Sequence, residues 1–222
     1  MAPAEEARTT GGPGLRERKK RETRAALSRA AIRLCVLHGW ENVTVDQIAA
    51  EADVSVRTFR NYFGGKAEAI AASHQERMLR VAEDLLARPA GEGLWDALLH
   101  AVLGQFAPAD NSGPQNGRWQ EGVRLMLAEP VLAGEIVKAN AAAQEELARA
   151  VARRTGTDVE RDVHPTLVAA VVAAGSAVAV ERSLRADAPL PLGAVLAEVF
   201  EQLAAGLPVP SVPSVPLLPS AP

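Results

Sequence analysis

The chain has 222 residues, of which 48% are hydrophobic, so it can bury the core of one large or two modest domains. Its single cysteine, Cys35, excludes an intrachain disulfide framework and is typical of a reducing compartment. A net charge of −3 argues against a protein that only binds nucleic acid. However, residues 15–66 carry eleven Lys and Arg against six Asp and Glu, whereas the remainder is acidic. This distribution indicates a local contact of the N-terminal part with DNA.

Residues 1–14 are small, polar and rich in Gly and Pro, which predicts disorder, and they lack the apolar segment of a signal peptide. We therefore expect a soluble, cytoplasmic protein. A basic cluster follows that includes Arg16, Lys19 and Lys20. These side chains could lie on phosphates or reach into a minor groove, or they could form a solvated helix start.

A first helix is predicted from about residue 18 to 37, with Gly39 ending it as a left-handed cap. Cys35 lies on its apolar face, which favours buried packing over a redox role. Trp40 and Val43 are expected to pack beneath the N-terminal helices. The predicted buried stripe of this helix is Ala26, Leu27, Ala30, Ala31, Leu34 and Leu37.

Residues 44–66, TVDQIAAEADVSVRTFRNYFGGK, predict two short helices joined by a tight turn. Thr44 with Gln47 three residues later is a capping-box pattern at the start of the first helix. Asp53 tolerates the left-handed backbone that such a turn often needs, and Ser55 is a good N-cap for the second helix.

The second of these helices has a face whose chemistry suits DNA. It should bury Val54, Phe59 and Phe63. Arginine can bond guanine and asparagine can bond adenine bidentately, while hydroxyls and ammonium groups suit phosphates. The alternative is an ordinary helical hairpin with a solvated face. The candidates for base contacts are Arg57, Arg60 and Asn61, and those for the DNA backbone are Thr44, Ser55, Thr58, Tyr62 and Lys66.

This stretch resembles the DNA-binding domain of the TetR family of bacterial transcriptional regulators. The resemblance covers residues 16 to about 72 and consists of a T-x-x-x-I-A-x-x-A opening, a V-S turn and a T-F-x-x-Y-F helix. Asp53 stands where glycine is common and Arg60 where many members have tyrosine, which leaves the operator sequence open. The resemblance implies an all-α homodimer with a three-helix helix-turn-helix domain (residues 15–66) and a helical ligand-binding and dimerisation domain (residues 67–206). It implies a repressor that a small-molecule effector releases from pseudo-palindromic double-stranded operator DNA, with an activator of the same family as the alternative.

Six further helices are predicted by apolar periodicity and by breaks at Gly and Pro. The apolar run from residue 166 to 180 is too short to span a bilayer, and we expect no membrane contact. By the resemblance, the last two helices form the dimer interface, although the small residues of the first of them also suit a buried core helix. The predicted helices cover residues 66–87, 93–106, 118–128, 130–155, 162–186 and 191–205.

By the same resemblance, apolar residues of the helices at 93–106 and 118–128 surround an effector pocket for a lipophilic molecule, with Arg124 helping to orient it. The alternative is that these residues only fill a core. The W-x-x-G-x-x-x-M-L-A-E-P-x-L segment that opens at Trp119 also resembles family members that sense fatty acyl-CoA, for whose phosphates Arg118, Arg124, Lys138 and Arg149 are candidates. The predicted pocket residues are Trp95, Leu99, Val102, Phe106, Trp119, Val123, Arg124 and Met126.

We find no sequence pattern typical of an active site. The four histidines are scattered, no H-E-x-x-H or phosphate-binding loop is present, and we expect neither enzyme activity, a cofactor nor a metal. The rival interpretation from another class is a helical ligand-binding or catalytic protein with an incidental basic N-terminus. Residues 207–222 are rich in proline, and we expect them to be extended or disordered.

Overall fold

The computed structural model describes residues 14–106, 117–185 and 190–208. All its regular elements in these ranges are helical, which confirms the all-α prediction. Residues 1–13 and 209–222, most of the two predicted disordered segments, lie outside the described residues. The α-helices are α1 (Leu15–His38), α2 (Val45–Glu51), α3 (Val56–Tyr62), α4 (Lys66–Ala87), α5 (Leu94–Phe106), α6 (Gly117–Leu127), α7 (Pro130–Thr155), α8 (Val163–Ser183) and α9 (Leu192–Ala204), with a short 3-10 helix at Trp40–Asn42.

Helix α1 ends at Gly39 as predicted, but not in the predicted conformation. Gly39 has φ 84° and ψ 151°, an extended conformation with positive φ that is essentially restricted to glycine. The chain passes directly into the 3-10 helix, and the side-chain amide of Asn42 donates to the His38 carbonyl at 3.0 Å. Because this amide satisfies a terminal carbonyl, the helix ends without a left-handed cap.

The buried face of α1 is wider than the predicted stripe. Leu27 and Ala31 are fully buried as predicted, whereas Leu37 is 40% exposed, so its predicted burial was wrong. Cys35 is buried as predicted, and Val36 is buried as well, because α6 packs on the C-terminal half of α1. The approach is close: a Cβ atom on Gly122 of α6 would lie 2.3 Å from the Val36 carbonyl oxygen.

The buried residues form two clusters. The N-terminal cluster joins α1, α2, α3 and the first half of α4 with Met126 of α6 and Leu132 of α7. The C-terminal cluster joins the second half of α4 with α5, α8, α9 and the second half of α7. Helices α4 and α7 therefore run through both clusters and connect them, and the buried core does not divide at residue 66.

Helix α8 combines a tightly packed face with an uncovered apolar face. A Cβ atom on Gly175 would lie 2.8 Å from Val199 of α9, so the two helices touch closely. On the other side, Val163, Leu167 and Val178 are more than half exposed. By length, 21 residues, and by composition alone α8 could cross a bilayer, a test that the core helices of soluble proteins also pass. The helix is longer than the apolar run at residues 166–180 on which the sequence prediction was based.

Candidate nucleic-acid interface and effector site

The start of α2 and the turn between α2 and α3 have the local contacts and backbone conformation that the sequence predicts. The Thr44 hydroxyl accepts from the Gln47 amide at 3.3 Å, and the Gln47 side chain accepts from the Thr44 amide at 2.8 Å, which is a complete capping box. Asp53 has φ 53°, in the left-handed region. The Ser55 hydroxyl accepts from the Thr58 amide at 3.0 Å and caps α3. The turn at Asp53 and the cap at Ser55 therefore set where α2 ends and α3 begins.

Helix α3 has one buried aromatic face and one exposed polar face. Phe59 and Phe63 are buried, with ring centroids 5.8 Å apart. Arg57, Arg60 and Asn61 are exposed on the opposite side. A short helix that is anchored by two phenylalanines thus presents two guanidinium groups and an amide to solvent, in a fixed orientation that suits contact with base edges.

The hydroxyl residues predicted to contact the DNA backbone also serve the fold. Thr44 and Ser55 are helix caps, and the Thr58 hydroxyl lies 2.8 Å from that of Ser55. Tyr62 is half-buried beside Phe63, with 6.4 Å between ring centroids. A hydroxyl can donate and accept at once, so these roles leave room for a phosphate contact, which stays a prediction.

Lys66, the first residue of α4, makes contacts that sequence reasoning missed. Its ammonium donates to the carbonyls of Trp40 at 2.5 Å and Val43 at 3.0 Å, and it lies 4.5 Å from the centroid of the Trp40 ring. Lys66 therefore ties the start of α4 to the connection between α1 and α2. Two of its three donors are occupied, so one N–H remains for the predicted phosphate contact.

The basic start of α1 lies beside α3. Arg16, Lys19 and Lys20 are exposed on the first turns of α1. One turn further on, the Arg24 guanidinium lies 4.5 Å from the centroid of the Phe63 ring and donates to the Tyr62 carbonyl at 3.4 Å. This contact joins α1 to the C-terminal end of α3, so the basic cluster and the polar face of α3 belong to one structural unit.

The structure does not bring the predicted effector residues into one pocket. Those of α5 belong to the C-terminal cluster: Val102 is fully buried, and Trp95, Leu99 and Phe106 pack against it. Those of α6 belong to the N-terminal cluster: Met126 is buried, and Trp119 and Val123 pack against it. Arg124 is exposed and paired with Glu121 at 2.7 Å. Helices α5 and α6 have similar apolar periodicity. This periodicity does not indicate that the apolar face of α6 packs against α1.

A small cavity lies instead between α4, α7 and α8, with room for about one water molecule. None of the predicted pocket residues lines it. The sequence feature that could have indicated this cavity is a pair of amide side chains, Asn140 and Gln144, which lie four residues apart on an otherwise apolar face of α7. The lining includes Met78 and Val81 of α4, Asn140 and Gln144 of α7, and Ala169 and Val172 of α8.

Polar groups of α4 adjoin this cavity. His74 Nε2 donates to Asn140 Oδ1 at 2.6 Å. Burial lowers the pKa of His74, an effect that the bond to Asn140 opposes and the charge of Arg77 reinforces. The Arg77 guanidinium lies 5.0 Å from the centroid of the Phe106 ring, and burial, followed by the charge of Arg80, lowers its pKa.

A polar network holds the far end of α4 against α5 and α7. Arg88 donates two hydrogen bonds of 2.7 Å to Glu92, and His100 Nδ1 donates a third of 2.7 Å. The bonds from Arg88, with a smaller effect of His100, lower the pKa of Glu92 to about 2. Arg154 at the end of α7 donates to four carbonyls, those of Leu85, Arg88, Pro89 and Glu92, at 2.7–3.3 Å.

Two family descriptions match the chain: "Bacterial regulatory proteins, tetR family" over residues 27–72 and "MftR C-terminal domain" over residues 92–208. The chain is 36% identical over 189 residues to the HTH-type transcriptional regulator TcmR of Streptomyces glaucescens, with 82% of each sequence covered.

Solved structures of low sequence identity share the fold. The fatty acid degradation regulator FadR of Bacillus halodurans matches with a TM-score of 0.56 at 18% identity, over 89% of this chain and 98% of that chain. Thermus thermophilus FadR, solved in complex with lauroyl-CoA, matches with a TM-score of 0.50 at 22% identity, over 86% of this chain and 98% of that one. With a family match over more than half of its length and a helix-turn-helix at α2 and α3, the chain belongs to the TetR family of bacterial transcriptional regulators.

Proposed function

We propose that the protein is a homodimeric repressor that occupies a pseudo-palindromic operator and is released from it by a lipophilic small molecule. The observation that carries the proposal is the exposed face of α3. Arg57, Arg60 and Asn61 project from a helix that Phe59 and Phe63 anchor in the N-terminal cluster. The dimer positions this helix on the DNA, and binding of the effector displaces it. We expect it to act in the cytoplasm.

The residues of the interface divide into base contacts and backbone contacts. Arg57 and Arg60 can each bond O6 and N7 of guanine, and Asn61 can bond N6 and N7 of adenine. The remaining candidates position the protein on the duplex through phosphates and carry no sequence information themselves. These are Arg16, Lys19 and Lys20 of the basic cluster, with Thr44, Ser55, Thr58, Tyr62 and Lys66.

Dimerisation through α8 and α9 is supported by the uncovered face of α8. Val163, Leu167 and Val178 are exposed in the single chain although they are large and apolar. A second copy packed on this face by two-fold symmetry would remove them from water. Two copies of α3 would then enter successive major grooves about 34 Å apart, which is why the operator should be pseudo-palindromic.

The effector is expected to act by separating α4 from its neighbours. The cavity holds about one water molecule, whereas a drug-sized ligand needs a pocket of about 300 Å³ or more, so binding requires α4, α7 and α8 to move apart. Since α4 begins at Lys66, which holds the α1–α2 connection, its displacement changes the separation of the two α3 helices. Coupling of about 1–3 kcal/mol between effector and DNA is typical.

Fatty acyl-CoA is one candidate effector. Among the basic residues proposed for its phosphates, Arg124, Lys138 and Arg149 are paired with glutamates of their own helices. Binding of the coenzyme would therefore have to break these pairs. Lauroyl-CoA is the first acyl-CoA to test, since it is the ligand of the Thermus thermophilus FadR structure.

The test is selection of bound sequences from a random duplex library at about 0.15 M salt, where screening limits non-specific attraction. We expect a two-fold-related motif with half-site centres one helical turn apart. Asn61→Ala should lose its preference at one position of each half-site and keep the rest of the motif. Glu41→Gln is the matched control, because Glu41 is exposed in the same domain but lies outside α3.

Weak, salt-dependent binding without a recovered motif would contradict the proposal. With the motif in hand, a reporter placed behind it separates repression from activation: deleting the regulator should raise expression, and a fall would show an activator.

A further inference from the structure

Arg24 lies on α1 where the exposed basic residues end and the buried face begins. Lys20, one turn earlier on the same face, is exposed, whereas Arg24 is half-buried and Leu27 is fully buried. From its place in the sequence alone, Arg24 would belong to the basic cluster that lies on phosphates. Its burial and its contacts indicate a different role.

The Arg24 guanidinium makes two contacts with the end of α3. It lies 4.5 Å from the centroid of the Phe63 ring, and one of its N–H groups donates to the Tyr62 carbonyl at 3.4 Å. Tyr62 is the last residue of α3, so its carbonyl is one of the four that have no partner within the helix. A cation at this end also complements the partial negative charge of the helix dipole. The two contacts therefore cap α3 from a neighbouring helix.

Phe63, on which the guanidinium lies, is itself held firmly. It is 2% exposed, and its ring centroid lies 5.8 Å from that of Phe59, whose carbonyl accepts from the Phe63 amide at 3.0 Å. The next amide, that of Gly64, donates to the Glu68 carboxylate of α4 at 2.6 Å. Arg24 thus joins α1 to a corner of the chain that the buried core and α4 already fix.

The residues next to this corner are among those predicted to contact bases. Asn61 and Arg60 come one and two residues before Tyr62, on the last turn of α3. Arg57 lies on the first turn, next to the cap at Ser55. A bidentate contact with a base needs a side chain whose direction is fixed by the residues that support it. A loose C-terminal end of α3 would therefore weaken base recognition by Asn61 and Arg60 more than by Arg57.

We infer that Arg24 is a positioning residue for sequence recognition: it holds the C-terminal end of α3 against α1, so that Asn61 and Arg60 keep a fixed direction, and its charge serves α3 and not a phosphate. The inference rests on the proposed function, because it assumes that the exposed face of α3 contacts the operator bases. It adds a residue of α1 that contacts no base and yet determines how strongly bases are distinguished.

The first experiment uses the free, full-length protein without DNA. Arg24→Met keeps a long apolar side chain beside Phe63 but removes the charge and the bond to Tyr62. Amide hydrogen exchange should become faster by about threefold or more at residues 60–63 and should stay unchanged at Ile48 of α2. Unchanged exchange at residues 60–63, or the same acceleration in α2 as in α3, would overturn the inference.

The second experiment compares the affinity for the selected operator with that for mixed DNA. Arg24→Met should lower the ratio of these affinities by about tenfold, the scale of one lost bidentate base contact. For mixed DNA, both the affinity and the slope of the logarithm of the binding constant against that of the salt concentration should match the wild type, since no phosphate contact is lost. Lys20→Met is the matched control, since Lys20 is exposed one turn earlier: it should reduce this slope and keep the ratio.

Two results of the second experiment would contradict the inference. A ratio that stays at the wild-type value would show that Arg24 has no part in recognition. A slope that falls by about one unit for Arg24→Met would show that Arg24 contacts a phosphate.

Two further variants separate the charge from the mere presence of a side chain. Arg24→Lys keeps a cation that can lie on the Phe63 ring and donate to the Tyr62 carbonyl, so it should restore the ratio to within about threefold of the wild type. A ratio as low as that of Arg24→Met would contradict this. If Arg24→Met does not fold, Arg24→Gln takes its place in both experiments, with the same expected directions.

Selection from the random library with Arg24→Met locates the effect along the operator. Base preference should weaken at the position that Asn61→Ala identifies and persist at the position that Arg57→Ala identifies. Equal weakening at both positions would show a general loss of affinity, and the inference fails. A wild type without any motif contradicts the proposed function and the inference with it, whereas a wild-type motif that Arg24→Met leaves unchanged contradicts the inference alone.

Discussion

Replacing Gly122 by alanine should weaken the contact between α6 and α1. The new Cβ would lie 2.3 Å from the Val36 carbonyl oxygen and 2.9 Å from Val36 Cγ1. The first of these neighbours is backbone, so no change of rotamer relieves the overlap, and α6 must move by about an ångström. Overpacking of this kind costs about 1–3 kcal/mol.

The net effect includes the helix propensity of the new residue. Alanine is favoured over glycine in a helix interior by about 1 kcal/mol, which offsets part of the cost. Because the clash is with rigid backbone, we take the upper end of the overpacking range and expect a net loss of about 2 kcal/mol in the free energy of unfolding. For a chain of this size that corresponds to a melting temperature lower by roughly 4–8 °C.

Gly134→Ala is the matched control. Gly134 is an exposed residue inside α7, and a Cβ there would meet nothing within 4 Å. Propensity alone should then raise the free energy of unfolding by about 1 kcal/mol. Both variants can be followed by thermal and urea denaturation of the same preparation. If Gly122→Ala is as stable as Gly134→Ala, the close packing of α6 on α1 is not a feature of the folded protein.

Two further predictions concern charged side chains. Lys66→Met should weaken binding to operator DNA and to mixed DNA alike, and it should reduce the slope of the logarithm of the binding constant against that of the salt concentration by about one unit. It should also lower the melting temperature. Lys20→Met should reduce this slope without lowering the melting temperature. An unchanged slope for Lys66→Met would exclude its phosphate contact. The folded pKa of Glu92 is about 2, below its ordinary 4.5, so its stabilising effect is full above about pH 4.5 and is lost as the pH falls towards 2. Glu92→Gln should therefore melt below the wild type at pH 7 and approach it below pH 4.5; a gap that is constant with pH would contradict this.

The helix-turn-helix could be predicted closely because its signals are local. The capping box of Thr44 and Gln47, the turn at Asp53 and the cap at Ser55 each involve residues within a few positions of one another, and the structure has all three. Pro130 and Gly156 likewise predict the bounds of α7, because the backbone conformation of proline favours a helix start and that of glycine a helix end.

What the sequence did not predict depends on partners that are distant in the chain. Lys66 contacts carbonyls more than twenty residues earlier, and Gly122 lies against Val36. No hydrophobic periodicity and no sequence motif predicts either of these contacts. Helix α8 ends at Ser183, three residues before the predicted bound, and the Ser183 hydroxyl donates to the Leu190 carbonyl at 2.8 Å, a contact with no sequence signal.

The distribution of the predicted effector residues over two clusters could not be predicted for a related reason. Apolar periodicity shows that a helix has a buried face, but not which neighbour covers it. The predicted apolar residues of α5 and α6 are buried or half-buried, yet in separate clusters. Ala143 of α7 and Ala169, Val172 and Ala173 of α8 line part of the cavity, and a sequence pattern presents such residues as ordinary packing.

The uncovered apolar face of α8 makes the regulator sensitive to its own abundance. In the proposed dimer, Val163, Leu167 and Val178 leave water only when a second copy is present, so mass action would link folding stability to total protein concentration. Dilution should lower the melting temperature and should make operator occupancy fall more steeply than for a monomer.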